Sequence, residues 1–285
     1  MLSNLLGFVA TSGPSVHITP TVVFTIGNFQ VTNSMLYGAI CGLLTMIILV
    51  YIATRMTIRP KGGLTQIVEV GTDFITNLLE SSLESREKAV KYAPYFVTVF
   101  WFVLFSNWLG LLPIVGEAFT SGGEAPLFRP FTGDLNGTLA IATITIVMVQ
   151  YFSIKETGAK KHLRHYFNGS LKNPLTLFLG VFEMFSELTR IFSLALRLFL
   201  NVTIGEIIIA VFAYLGNVAA PITALPFTIL EFLVGALQAY IFVMLAIMYL
   251  AVAVKHADHE AHEDPDHELT IDDVVRAETG TASGN

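Results

Sequence analysis

Of the 285 residues, 53% are hydrophobic and 13% charged, with a mean hydropathy of +0.65. The charged share is about half the soluble average of roughly 25%. The apolar residues are also bunched, which excludes a water-soluble globule and points to an all-α, multi-pass membrane protein. The formal net charge of −6 reflects acids concentrated in the C-terminal tail. No basic stripe offers a surface for nucleic acid, and the single cysteine, Cys41, excludes a disulfide within the chain.

The first residues, MLSNLLGFVATSGPS, lack a basic stretch and do not read as a cleaved signal; residues 1–34 are expected to form an external N-terminal segment. Three segments predict plain spanning helices of about 20 uncharged, apolar residues: 35–54, 92–115 and 135–154. Residues 64–89 differ. Leu64, Ile67, Val68, Gly71, Ile75, Leu78 and Leu79 follow a helical stripe, with Glu69, Asp73, Asn77 and Glu80 interleaved. That pattern predicts an amphipathic helix at the membrane interface, its polar face meeting a protein partner or water.

Two later segments, 173–214 and 222–254, are long, apolar and seeded with polar residues, and GNVAAP at 216–221 breaks them apart. A helix of this length reaches about 63 Å, twice a hydrocarbon core of about 30 Å, so the pair predicts a long tilted hairpin. Residues 256–285 form an acidic tail expected to be disordered.

Lysine and arginine set the expected orientation. The loop 55–91 carries Arg55, Arg59, Lys61, Arg86, Lys88 and Lys91, and the loop 155–172 carries Lys155, Lys160, Lys161, Arg164 and Lys172. Residues 1–34 carry none and 116–134 carry only Arg129. Both basic loops are therefore expected in the cytoplasm, the N-terminus outside and the C-terminus inside.

Arg197 stands out in the apolar run RIFSLALRLFLNVTIGE, residues 190–206, because a guanidinium at a bilayer centre costs about 2.5–3.5 kcal/mol on insertion scales. At about 100° per residue, Glu183, Ser186, Glu187, Arg190, Ser193 and Asn201 fall within about a third of the circumference around it. Such an arc lines a wet crevice or packs on a partner rather than facing lipid. One reading is a buried salt bridge from Arg197 to Glu183 or Glu187. Against it, those acids lie roughly 21 and 15 Å down the axis; Arg190 is better placed to pair with them.

The last helix carries a line of its own. Glu231, Gln238 and Tyr249 fall within about 20° of one another. If the two long helices run antiparallel about a turn near residue 218, Glu206 is level with Glu231, and Arg197 with Gln238 or Tyr240. Glu206 and Glu231 then sit on the outer side of Arg197 and Glu183, Glu187 and Arg190 on the cytoplasmic side. The two outer glutamates either form a proton-sharing pair or stand apart, each hydrogen-bonded separately.

At these residues the chain resembles subunit a of F-type rotary ATP synthases, the membrane stator that conducts protons past the c-ring. The matching motifs are SLALRLFLNVTIGE (193–206), LQAYIFVMLAIMYL (237–250), NWLGLLP (107–113) and DLNGT (134–138), and HITPTVVFTIGNFQVTNSML (17–36) is similar to the family's N-terminal segment. The resemblance implies that Arg197 is the family's essential arginine and Gln238 the glutamine beside it. It places Asn201, Glu206, Glu231, Glu183, Ser193 and Tyr249 on channel-lining positions. It further implies a non-catalytic, ion-translocating subunit of a bacterial plasma or inner membrane. The implied partners are the c-ring, the peripheral stalk with subunit b, the soluble F1 sector indirectly, and the lipid bilayer, with no cofactor and no metal. Two positions depart from the family: Leu200 stands where glycine is usual, and Glu206 and Glu231 are both glutamate where relatives often pair a carboxylate with a histidine.

The opposing class is a multi-pass cation or metal transporter or channel. It draws on His256, His259, His262 and His267 among the acids of the tail. A central arginine argues against it, because it repels cations.

Overall fold

The structure is a computed structural model, and it describes residues 21–27, 29–55, 63–112, 129–157, 174–216 and 219–262. It opens with an antiparallel pair of short strands, β1 (Val22–Ile26) and β2 (Phe29–Thr32). Gly27 takes a φ of 62° in the turn between them, a left-handed conformation that costs glycine nothing. This hairpin is an addition to the all-helical expectation.

Helix α1 (Asn33–Arg55) follows directly. The Asn33 side chain starts it, its Oδ1 accepting from the Ser34 amide at 2.9 Å and the Thr21 amide at 3.3 Å. Helix α2 (Gly63–Leu83) is the amphipathic one. It buries Val68, Ile75, Leu79 and Leu83, while Ile67 and Val70 stay exposed. Gly71 gives α2 close contact with α3, since an added Cβ would run into the Trp101 ring.

Helix α3 (Arg86–Gly110) starts earlier than residue 92. Ser85 is its N-cap, accepting from the Lys88 amide at 3.4 Å, and Glu84 takes a φ of 53° just before. The 64–89 segment is therefore nearly the whole of α2 followed by the first turn of α3. A hydropathy window cannot see the charged first turns of a helix that becomes apolar only later. α3 packs against α1, α2 and α6 and buries Tyr92, Phe96, Trp101, Val103 and Leu104 at the centre of the core.

A 3₁₀ turn (Phe131–Gly133) leads into α4 (Leu135–Thr157). Asp134 caps α4, accepting from the Asn136 amide at 3.0 Å, and its other carboxylate oxygen accepts from the Ser34 hydroxyl. One buried carboxylate thus ties the starts of α1 and α4 together. At the far end of α4, Glu156 accepts from Lys91 at 2.5 Å and from the Tyr92 hydroxyl.

Helices α5 (Pro174–Gly216) and α6 (Ala220–His262) have 43 residues each. They form the antiparallel pair the sequence predicts, with α6 running eight residues past the expected end at 254. Gly205, buried beneath the Glu231 side chain, lets the two helices approach closely there. The turn is fastened by Thr223, whose hydroxyl donates to the Phe212 carbonyl at 2.8 Å, and by the stacked rings of Phe212 and Phe227, 3.8 Å between centroids.

Candidate functional site

One stripe of α5 is buried: Leu194, Ala195, Leu198 and Val202 face the core. The opposite stripe is open and apolar, with Phe185, Phe192, Leu196, Leu200 and Ile204 exposed. Arg197 is exposed at the border of these two stripes, and among the described residues it makes no ion pair. A salt bridge from Glu187 to Arg197 is therefore not what the structure shows, and one from Glu183 lies outside the described residues. Arg190 takes the acid instead, with its guanidinium 2.6 Å from Glu187 and 5.0 Å from the centre of the Tyr249 ring. Ser193 is exposed and Asn201 half-buried. The Glu183 side chain lies outside the described residues, as do those of His256, His259, His262 and His267.

Glu231 is 7% exposed and lies directly over Gly205 of α5; an added Cβ on Gly205 would collide with its carboxylate. This contact puts Glu231 level with Glu206, as the hairpin count predicts. Phe212 with Phe227 and Arg190 with Tyr249 meet within about three residues of this register. Glu206 turns to another neighbour. Both its carboxylate oxygens lie beside Gly133, 3.7 and 3.8 Å from where a Cβ there would stand. The charges of Arg129 and Glu231 both act on Glu206.

Arg129 is the residue that sequence reasoning passed over. It is only 5% exposed and donates from Nη2 to the Gly133 carbonyl at 2.8 Å. Its signal was present: it is the lone base in the 116–134 segment. Gln238 is 5% exposed, and its Nε2, like Asn201 Nδ2 and Thr132 Oγ1, has no partner among the described residues. Buried polar atoms of this kind are satisfied by water or by another chain.

The geometry thus holds ionisable groups at two depths. At 1.5 Å per residue, Glu187 and Glu206 lie about 15 and 14 Å along α5 on either side of Arg197. The five helices α1, α3, α4, α5 and α6 are long and apolar enough to cross a membrane. These features define a multi-pass membrane protein that holds carboxylates on both sides of a fixed positive charge.

Comparison with known proteins narrows the class. Residues 35–251 match the family model described as ATP synthase A chain. The chain is 32% identical over 280 residues to ATP synthase subunit a of Aliivibrio salmonicida, covering 93% of this chain and 94% of the relative. It is 30% identical over 248 residues to the subunit a of Gloeobacter violaceus, covering 87% and 94%. It is also 33% identical over 214 residues to ATP synthase subunit a 2 of Chlorobaculum tepidum, covering 72% of this chain and 56% of that longer relative. The chain belongs to the ATP synthase A chain family, the non-catalytic, proton-conducting stator subunits of the membrane sector.

Proposed function

We propose that this chain forms two half-channels separated by Arg197, through which protons reach and leave carboxylates on a passing c-ring. The reading rests on one observation above the others: Arg197 is exposed at the edge of an open apolar face, and among the described residues no acid pairs with it. A carboxylate on a neighbouring subunit is the partner it lacks. A guanidinium is not deprotonated in proteins, so Arg197 acts as a fixed charge and not as a carrier. Beside it the partner's carboxylate favours the ionised form and releases its proton. Away from it, against lipid, desolvation favours the protonated form. A proton that enters on one side must therefore ride the rotor to leave on the other. Each charge moved across the potential supplies about 2.3 kcal/mol per 100 mV.

On this reading Glu206 and Glu231 serve the outer half-channel, with Arg129 balancing their charge. Glu183, Glu187 and Ser193 serve the cytoplasmic one. Gln238, Asn201 and Tyr249 line the passage. The N-terminus lies outside and the C-terminus in the cytoplasm of a bacterial plasma membrane, and subunit b of the peripheral stalk holds the chain against rotation. Purification from native membranes tests the assembly. A c-ring and soluble ATPase subunits should co-purify with this chain; a chain isolated alone that conducts divalent cations would support the transporter class instead.

A further inference from the structure

The end of α6 that carries Glu231 is gripped by α3. Asn107 and Trp108 are adjacent residues near the end of α3. Asn107 Nδ2 donates to the Gly235 carbonyl at 3.0 Å, and Trp108 Nε1 donates to the Phe232 carbonyl at 3.0 Å. The Trp108 ring also stacks on Phe232, 4.3 Å between centroids and 12° from parallel. Gly235 permits this approach: an added Cβ would stand 3.3 Å from Asn107 Cβ.

Both acceptors are main-chain carbonyls inside a helix, where each already serves the helical ladder and offers its second lone pair. The helix needs neither bond to form. An asparagine within a membrane span is costly unless paired, so apolar residues would fill this contact more cheaply. What the two bonds add is register. Their acceptors are three residues apart on α6, and a two-point hold fixes both rotation and depth. Phe232 follows Glu231 directly, and Gly235 is one turn further on. A slip of one residue would move Glu231 by about 1.5 Å and 100°, off its place over Gly205.

We propose that Asn107 and Trp108 are positioning residues for proton uptake, a two-point clamp on the α6 backbone that keeps the Glu231 carboxylate seated over Gly205. The proposal rests on the reading of Glu231 as a proton-handling group. The clamp touches no proton itself; it acts through the placement of Glu231.

The test uses the whole assembled complex in liposomes. Proton flux per assembled complex is measured as the pH on the outer face is varied. Trp108→Phe keeps the ring stack and removes the donor; Asn107→Leu keeps the volume and removes the donor. Each should lower flux by up to about a hundredfold, the scale on which an ångström of misplacement acts, and shift the midpoint of the outer-pH profile while the amount of complex is unchanged. In a Glu231→Gln background neither substitution should have a further effect. Less complex, but an unchanged flux and profile per complex, would make the pair merely structural and overturn the proposal. An undiminished further loss in the Glu231→Gln background would also overturn it, because the clamp would then act elsewhere. If Glu231→Gln alone leaves flux and profile unaltered, the reading of Glu231 fails and the clamp falls with it. If Glu231→Gln impairs flux and the clamp variants do not, the clamp alone is refuted.

Discussion

Gly205 and Glu231 occupy one place in the structure: the space that a side chain on Gly205 would fill holds the carboxylate of Glu231. Gly205→Ala should therefore unseat Glu231. In a helix interior alanine is favoured over glycine by about 1 kcal/mol, so secondary structure offers no reason for a loss. Overpacking costs about 1–3 kcal/mol, and a barrier raised by that much slows a step roughly five- to 150-fold. Glu231→Asp shortens the side chain by one methylene and should partly rescue Gly205→Ala. ATP-driven proton pumping by membranes carrying the two single variants and the double decides it; a double variant no better than Gly205→Ala alone would refute the shared-space explanation.

Arg197→Ala should abolish proton-driven ATP synthesis while leaving the complex assembled, because the residue makes no ion pair on which the described fold depends. Arg197→Lys should also be severely impaired, since a desolvated ammonium can lose its charge and a guanidinium cannot. Synthesis rates and immunodetection of the assembled complex check both. Normal coupled pumping by an Arg197→Ala complex would sink the two-half-channel reading.

Glu206 and Glu231 are level, and the charge of Glu231 acts on Glu206. Glu206→Gln and Glu231→Gln should each slow proton flux by about tenfold, and the double variant should cost far less than their product, because residues of one unit are not additive. Flux measured for all three variants distinguishes the cases: independent, multiplying losses mean that the glutamates act separately.

One-sided labelling tests the two depths. In a Cys41→Ser background, a cysteine replacing Glu187 should react with a membrane-impermeant thiol reagent added to the cytoplasmic face. One replacing Glu231 should react only from the other face, and more slowly, since that site is buried. Labelling of both from one side would overturn the orientation of the path.

Much of this was legible in the chain. Hydropathy located five apolar helices, helical periodicity placed Arg197 among polar residues, and counting back from the GNVAAP break set Glu206 level with Glu231. These succeed because a helix fixes angles and heights within itself and a tight turn fixes the register of its neighbour. The sequence was silent where the partner comes from a distant segment. Nothing local announces that Glu206 faces Gly133 and Arg129, or that Asn107 and Trp108 reach carbonyls more than a hundred residues away. The strands at 22–32 were missed because so short a hairpin leaves little pattern to read. The start of α3 was misplaced because its first turns are charged, and their helix is declared by the Ser85 cap rather than by hydrophobicity.

The open face of α5 has a mechanical meaning in the proposed assembly. Phe185, Phe192, Leu196, Leu200 and Ile204 present no hydrogen-bonding group to whatever moves past them. A surface sliding over such a stripe breaks only dispersion contacts, each worth about 0.1–0.2 kcal/mol per atom pair and re-formed at once with the next neighbour. Apart from the small hydroxyls of Thr189 and Ser193, which are exposed on the same side, the face therefore behaves as a greased bearing with a single charged detent. Arg197 is that detent, the one point along the track where a passing charge is held, and Leu200 beside it makes the bearing bulkier than glycine would. Replacing one of these apolar side chains with a hydrogen-bonding one would add a second catch, felt as drag on rotation even where the proton path is untouched.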